Sequence, residues 1–112
     1  MKRGEIWWAE LHEPVDSEPG YKRPLLIVQA NEFNNSNINT IIAVAITTNV
    51  RLAGAPGNVL LSIKQSKLPK ESVINVSQIV TIDKLFLTKK IHSISNKIMG
   101  IVEEGMKLVL KL

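Results

Sequence analysis

The chain has no cysteine, which excludes disulfide scaffolds, thiol nucleophiles and thiolate-held zinc or iron–sulfur centres together. Histidine is almost as scarce. The two present, His12 and His92, stand far apart and have neither the His-x₃-His nor the Glu-x-x-His spacing of a metal site. No metal or cofactor is therefore expected, although a histidine–histidine ribonuclease pair stays open if the fold brings the two together. A phosphate-cradling glycine loop is missing as well. Gly54-Ala55-Pro56-Gly57 lacks both the strand-to-helix setting and the Lys-Ser/Thr ending, and reads as a plain loop. No apolar run exceeds about eight residues, against roughly 20 for a membrane span. The opening Met1-Lys2-Arg3-Gly4-Glu5 runs straight into a strand-like segment and carries no secretory pattern. The expectation is a soluble, cytoplasmic protein without repeats, linkers or low-complexity tracts.

What is present suits one compact domain over residues 1–112, with no room for a second. At 45% hydrophobic the chain can bury a proper core, though a small one that leaves room for a homodimer. The formal charge of +4 tilts towards anionic partners such as nucleic acid or an acidic peptide. Short strand-like runs fill the first four-fifths. Glu5–Leu11 alternates; Pro24–Gln29 and Ile41–Thr48 are nearly continuous apolar runs, as in strands buried on both faces. Between them lies a polar, Asn-rich stretch that favours turns. Asn58–Ile63, Ser72–Thr81 and, more weakly, Phe86–Ile91 continue the series, with Gln65–Lys70 as a connector.

The tail changes period. From the N-cap Ser95, apolar residues recur at Ile98, Ile101, Val102, Gly105, Leu108, Val109 and Leu112, the pattern of an amphipathic helix packed on a sheet. Gly100 and Gly105 each cost such a helix about 1 kcal/mol against Ala, so packing has to hold it. The fold expected is β-rich α+β: a small, strongly bent sheet or barrel plus a C-terminal α-helix.

Three places could carry chemistry. The loop Ser17-Glu18-Pro19-Gly20-Tyr21-Lys22-Arg23-Pro24 gathers a hydroxyl, a carboxylate, a phenol and two cations ahead of a buried strand. Pro24 biases Arg23 towards an extended backbone, so its planar donor fork would project from the rim of a rigid element and suit a phosphate. A solvated turn with a surface arginine is the plain alternative. Thr47-Thr48 ends an apolar strand, where threonine is also common for structural reasons alone. Gln78, between Val76 and Ile79, could equally complete a polar strand face. Trp7 and Trp8 should point to opposite faces of their strand, leaving at most one to stack on a base.

Taken together, Lys2–Leu11, Ser17-Glu18 through Arg23-Pro24-Leu25-Leu26-Ile27-Val28-Gln29, Val44–Thr48 and the block Ser72–Lys84 resemble the MazF/PemK/Kid family of toxins over nearly the whole chain. The resemblance implies an SH3-like β-barrel with a terminal helix, a homodimer, and sequence-selective cleavage of single-stranded RNA. The family's catalytic arginine falls on Arg23 and its catalytic threonine on Thr47, with Thr48 the alternative one residue on. Glu18 and Gln78 match positions near the family's RNA groove, and Glu18 is the expected acceptor of the 2′-OH proton. Ser17, Tyr21, Lys22, Thr48 and Gln78 are the residues expected to bind the RNA. Nothing functional is carried onto residues 51–70. The chemistry expected is attack of the RNA's own 2′-OH on the adjacent phosphorus, giving a 2′,3′-cyclic phosphate and a 5′-OH without a metal. An antitoxin with an acidic tail is the implied protein partner. Two rivals remain: a barrel toxin resembling CcdB that binds a protein such as DNA gyrase, and a nucleic-acid-binding barrel without catalysis.

Overall fold

The computed structural model describes residues 1–11 and 22–112. Its strands are β1 (Glu5–Glu10), β2 (Lys22–Ile27), β3 (Thr40–Thr47), β4 (Val59–Leu61), β5 (Ser72–Asp83) and β6 (Leu87–Ser93). They form one curled antiparallel sheet in the order β4-β5-β3-β2-β1-β6. Three α-helices are interspersed: α1 (Asn31–Asn34), α2 (Ile63–Ser66) and the terminal α3 (Asn96–Leu110). The short α2 packs against both β4 and β6, the two outermost strands, and so spans the seam that the curl leaves open. This is the expected α+β half-barrel of SH3-like type with a C-terminal helix.

The central strands behave as their unbroken apolar runs demand. Leu25, Leu26 and Ile27 are consecutive in β2 and all fully buried, which a strand manages only when both its faces are covered. One face joins Ile6, Leu26, Val44 and Ile46 to Met99 and Val102 of α3. The other gathers Ala9, Leu25, Ile27, Ala43 and Ala45, with Trp7 packed beside them. The adjacent tryptophans thus part to opposite sides of β1, as strand alternation requires.

Three local differences from the sequence reading have physical causes. The Asn-rich stretch contains a helical turn, because Asn34 seals it from within: its amide donates to the Gln29 carbonyl at 2.9 Å and accepts the Gln29 side-chain amide at 2.9 Å. The stretch Gln65–Lys70 is not simply a connector. Ser62 and Gln65 form a reciprocal capping box, which starts α2 at Ile63. Helix α3 begins after its Ser95 cap as expected, with the Ile98 amide donating to Ser95 Oγ at 3.2 Å. Val102 and Gly105 of the expected stripe are buried, joined by Met99, while Ile101, Leu108, Val109 and Leu112 of that stripe are exposed. The helix approaches so closely at Gly105 that a Cβ there would overlap the Gly57 backbone. That contact rotates the helix towards its smallest residue.

Candidate active site

A proline opens the site. β2 pairs with β1 along nearly all of its length, from Glu10 opposite Lys22 to Ile6 opposite Leu26. Its pairing with β3 covers only Leu25 to Ile27. Pro24 has no N–H to continue that second ladder, so Lys22, Arg23 and Pro24 remain attached to β1 while the end of β3 diverges. The gap is an open cleft of about 410 Å³.

Arg23, half-buried, and exposed Lys22 form one wall with Pro24. Ile46, Thr47 and Thr48 enter from the end of β3, and the segment Leu68-Pro69-Lys70 with Ser72 closes the far side. Trp8, directly opposite Pro24, completes it. Continuing the β2–β3 register two places beyond Leu25–Ala45 sets Arg23 against Thr47.

The chemistry of the lining is one-sided. Lys22, Arg23 and Lys70 bring three cations, and none of the described lining residues is acidic. Thr47 Oγ1 accepts the Asn49 backbone N–H at 3.1 Å, which orients the hydroxyl and leaves its hydrogen to donate into the cleft. Ser72 instead donates to the Lys70 carbonyl at 2.9 Å and braces the far wall. The Lys22 ammonium sits over the Trp8 ring, 5.3 Å from its centroid. A cleft with several cations, a positioned hydroxyl and an aromatic face suits a nucleic-acid strand, whose phosphates and bases alternate.

Of the residues singled out from the sequence, Arg23, Thr47, Lys22 and Thr48 converge here. Gln78 does not line the cleft. It lies where β5 bows away from β3 between Ile74 and Ile79, within 3.5 Å of the Asn75 amide. Asn58 anchors this bow by accepting the Val76 N–H at 3.0 Å and donating to the Leu52 carbonyl at 2.8 Å. His12, Ser17, Glu18 and Tyr21 lie outside the described residues. His92 lines a different hollow, between α2 and the start of α3. Among the described residues no three His, Asp or Glu side chains come together to hold a metal ion. Sequence reasoning missed Lys70, Ser72 and the Leu68-Pro69 wall. Leu68 to Lys70 lie in a segment onto which the resemblance carried nothing, their one signal a lysine after a proline, and Ser72 opens a resembling block without having been assigned a role.

Residues 2–110 match the family described as the PemK-like, MazF-like toxin of type II toxin–antitoxin systems. The chain belongs to the PemK/MazF toxin family. Among curated proteins of the family, Endoribonuclease MazF6 of Mycobacterium tuberculosis is 41% identical over 112 residues, covering all of this chain and 98% of the relative. Endoribonuclease EndoA of Bacillus subtilis is 38% identical, over all of this chain and 96% of its own. The fold is likewise that of solved MazF structures. An endoribonuclease from a mycobacterial species, in complex with its cognate antitoxin, superposes with a TM-score of 0.81 at 22% identity, covering 100% of this chain and 96% of that one. MazF of Deinococcus radiodurans gives 0.80 at 17% identity, covering 100% and 97%.

The opening of the chain also supports the site from behind. Glu5 is buried and accepts three donors: the Lys2 backbone N–H at 2.8 Å, the Trp7 indole N–H at 3.0 Å and the Lys90 ammonium at 3.0 Å. Burial by itself raises a carboxyl's pKa, but the hydrogen bonds from Trp7, Lys2 and Lys90, with the charge of Lys90, outweigh it and hold Glu5 below its ordinary value. This PemK/MazF chain thus ties β1 to β6 through an ionised, buried carboxylate and keeps Trp7 turned away from the cleft.

Proposed function

We infer that this protein is a MazF-family endoribonuclease toxin, its active unit spanning residues 1–112, that cuts single-stranded RNA in the cleft between the ends of β2 and β3. The observation that carries the reading is the convergence of Arg23 and Thr47 on one cationic, carboxylate-poor cleft lined by described residues, in a chain whose full-length relatives are named endoribonucleases. The rival reading, a CcdB-like toxin acting on a protein, is not favoured by those relatives.

The reaction has one nucleophile supplied by the substrate. The 2′-OH attacks the adjacent phosphorus, the 5′-oxygen leaves, and the products are a 2′,3′-cyclic phosphate and a 5′-OH. Arg23 binds the phosphate through paired N–H donors and stabilises the charge that builds on its oxygens. The Thr47 hydroxyl holds a non-bridging oxygen. Lys70, facing them from the far wall, anchors a neighbouring phosphate as a point charge. Glu18 accepts the 2′-OH proton, the departing 5′-oxygen takes up a proton from water, Ser17, Tyr21, Lys22 and Thr48 bind the strand beside the cut, and Gln78 meets it farther along, outside the cleft. Dependence on the 2′-OH restricts cleavage to RNA.

The working form is a homodimer, in keeping with the exposed apolar residues Ile101, Leu108 and Leu110 along α3. The neutralising partner is an antitoxin whose acidic tail orders on the basic cleft, as charge complementarity favours. Incubation of the protein with a long single-stranded RNA in EDTA tests the reading. Wild type should give discrete fragments ending in cyclic phosphate, and Arg23→Ala should lower the rate by about 10²–10³. Intact RNA in the presence of folded wild type would overturn it.

A further inference from the structure

We propose that Trp8 is the base-binding platform of the cleft, and that Lys22 is a clasp which leaves the Trp8 face for a backbone phosphate when RNA arrives. The inference rests on the RNA-cleft reading above and adds to it the group that holds a base. Three observations lead there. Trp8 is half-buried: one side of it packs on the core with Leu26 and Ile46, and it also lines the cleft. Its neighbour Trp7 is committed elsewhere, with its indole N–H on Glu5 and its ring on the opposite face of the sheet. Lys22 lies diagonally across the β1–β2 ladder from Trp8, since Trp8 pairs with Pro24 and Glu10 pairs with Lys22, and its ammonium rests over the Trp8 ring.

The platform is rigid from below. Trp8 sits in the middle of a strand paired on both sides, to β2 at Pro24 and to β6 at Lys89. A flat ring fixed in this way stacks on a base with little further ordering, and stacking tolerates any base because each has a π-face. Lys22 covers the same face in the free protein. A cation over a half-exposed ring is weakly held, and among the described residues Lys22 has no ion pair. Arg23, the phosphate-binding group, lines the same cleft as Trp8. A base on Trp8 is therefore close to the cut, and the displaced ammonium reaches the phosphate beside it. The exchange replaces a cation–π contact by a charge-assisted hydrogen bond and exposes the ring only when an anionic strand is there to take the lysine.

The test uses 2′-fluoro RNA, which keeps bases and phosphates but lacks the attacking hydroxyl, so that binding is read apart from cleavage. Trp8→Leu should weaken binding about 10- to 100-fold, and Trp8→Phe should stay within about fivefold of wild type. Removing bases one at a time from the oligonucleotide should identify a single position whose loss weakens wild type but not Trp8→Leu. Lys22→Ala should lower the slope of log K against log salt by about 0.7, the value of one phosphate contact on a single strand. Trp7→Phe leaves Trp8 as the sole tryptophan, and its emission should be quenched by saturating RNA, a readout that holds even if Trp8→Leu does not fold. Unchanged emission, or a folded Trp8→Leu with wild-type affinity at every abasic position, would overturn the platform. Wild type that fails to cleave natural RNA yet shows the Trp8-dependent binding would overturn the enzyme reading and leave the platform standing.

Discussion

Helix α3 contains two glycines, and replacing each by alanine should move stability in opposite directions. In a helix interior alanine is favoured over glycine by about 0.5–1 kcal/mol, because glycine loses more backbone entropy on folding. At Gly100 an added Cβ meets nothing within 4 Å, so Gly100→Ala should collect that gain. At Gly105 the same methyl overlaps the carbonyl and Cα of Gly57. The obstacle is backbone and cannot rotate aside. Gly57 itself has φ of +81°, so the turn that carries it is held in a conformation L residues rarely adopt. Forcing the helix away from this turn costs about 1–3 kcal/mol of overpacking. The net expectation is destabilisation of up to about 2 kcal/mol for Gly105→Ala, and a separation of about 1–3 kcal/mol between the two variants. For a chain of 112 residues, 1 kcal/mol corresponds to about 4 °C in Tm. Thermal melts at equal protein concentration should therefore place Gly100→Ala a few degrees above wild type and Gly105→Ala several degrees below it. Urea titrations should show the same order with unchanged m-values. A Gly105→Ala protein at least as stable as Gly100→Ala would refute the claim that this close approach sets the rotation of α3.

Other consequences are open to direct measurement. Glu5 is held ionised below its ordinary value in the folded protein, so its contribution is complete above the unfolded-state pKa and is lost as pH falls through the lower folded one. Wild type should lose Tm on acidification through that window, while Glu5→Gln should start lower, by about 1–3 kcal/mol at neutral pH, and show a shallower acid slope; parallel curves for the two would contradict the assignment. Ser95→Ala removes the cap bonded to the Ile98 amide and should cost about 1 kcal/mol in a denaturation titration, with a glycine at the same place costing only a few tenths more than wild type. Asn58→Ala leaves the Val76 N–H and the Leu52 carbonyl without their side-chain partner and should cost about 1–3 kcal/mol, with faster amide exchange in the bow of β5 as the local sign. Thr47→Val should lower kcat by at least about tenfold with KM little changed, whereas Thr47→Ser should retain most activity, because only the donor to the phosphate is at issue.

How much of this was legible in the chain depended on the range of the interaction responsible. Alternation in Glu5–Glu10, the unbroken apolar runs that became β2 and β3, and the serine before the terminal helix are local patterns, and each produced the element it announced. The opposite facing of Trp7 and Trp8 followed from strand geometry alone. The chain order of blocks was also enough for the family and the barrel, since strand-by-strand resemblance survives without coordinates. The site was visible in part for the same reason: Arg23-Pro24 and Thr47 sit in runs whose character is local.

Tertiary structure decided the rest, where the responsible contacts join distant residues. Nothing near Pro24 in the chain says that its missing N–H stops pairing with β3 rather than with β1, and that choice is what opens the cleft. Lys70 and Ser72 acquired a place in it only because β5 returns beside β3. The place of Gln78, beside Asn75 and outside the cleft, is set by the bow of β5 that Asn58 anchors. The close approach of Gly105 to the Gly57 backbone fixes how α3 sits on the sheet and leaves Ile101, Leu108 and Leu112 outside. Sequence by itself determined which segments are strands and helix, because hydrophobic periodicity is read over a few residues. Which side chains share a cleft was fixed by register, a bow in one strand and a single backbone contact, each made between residues far apart in the chain.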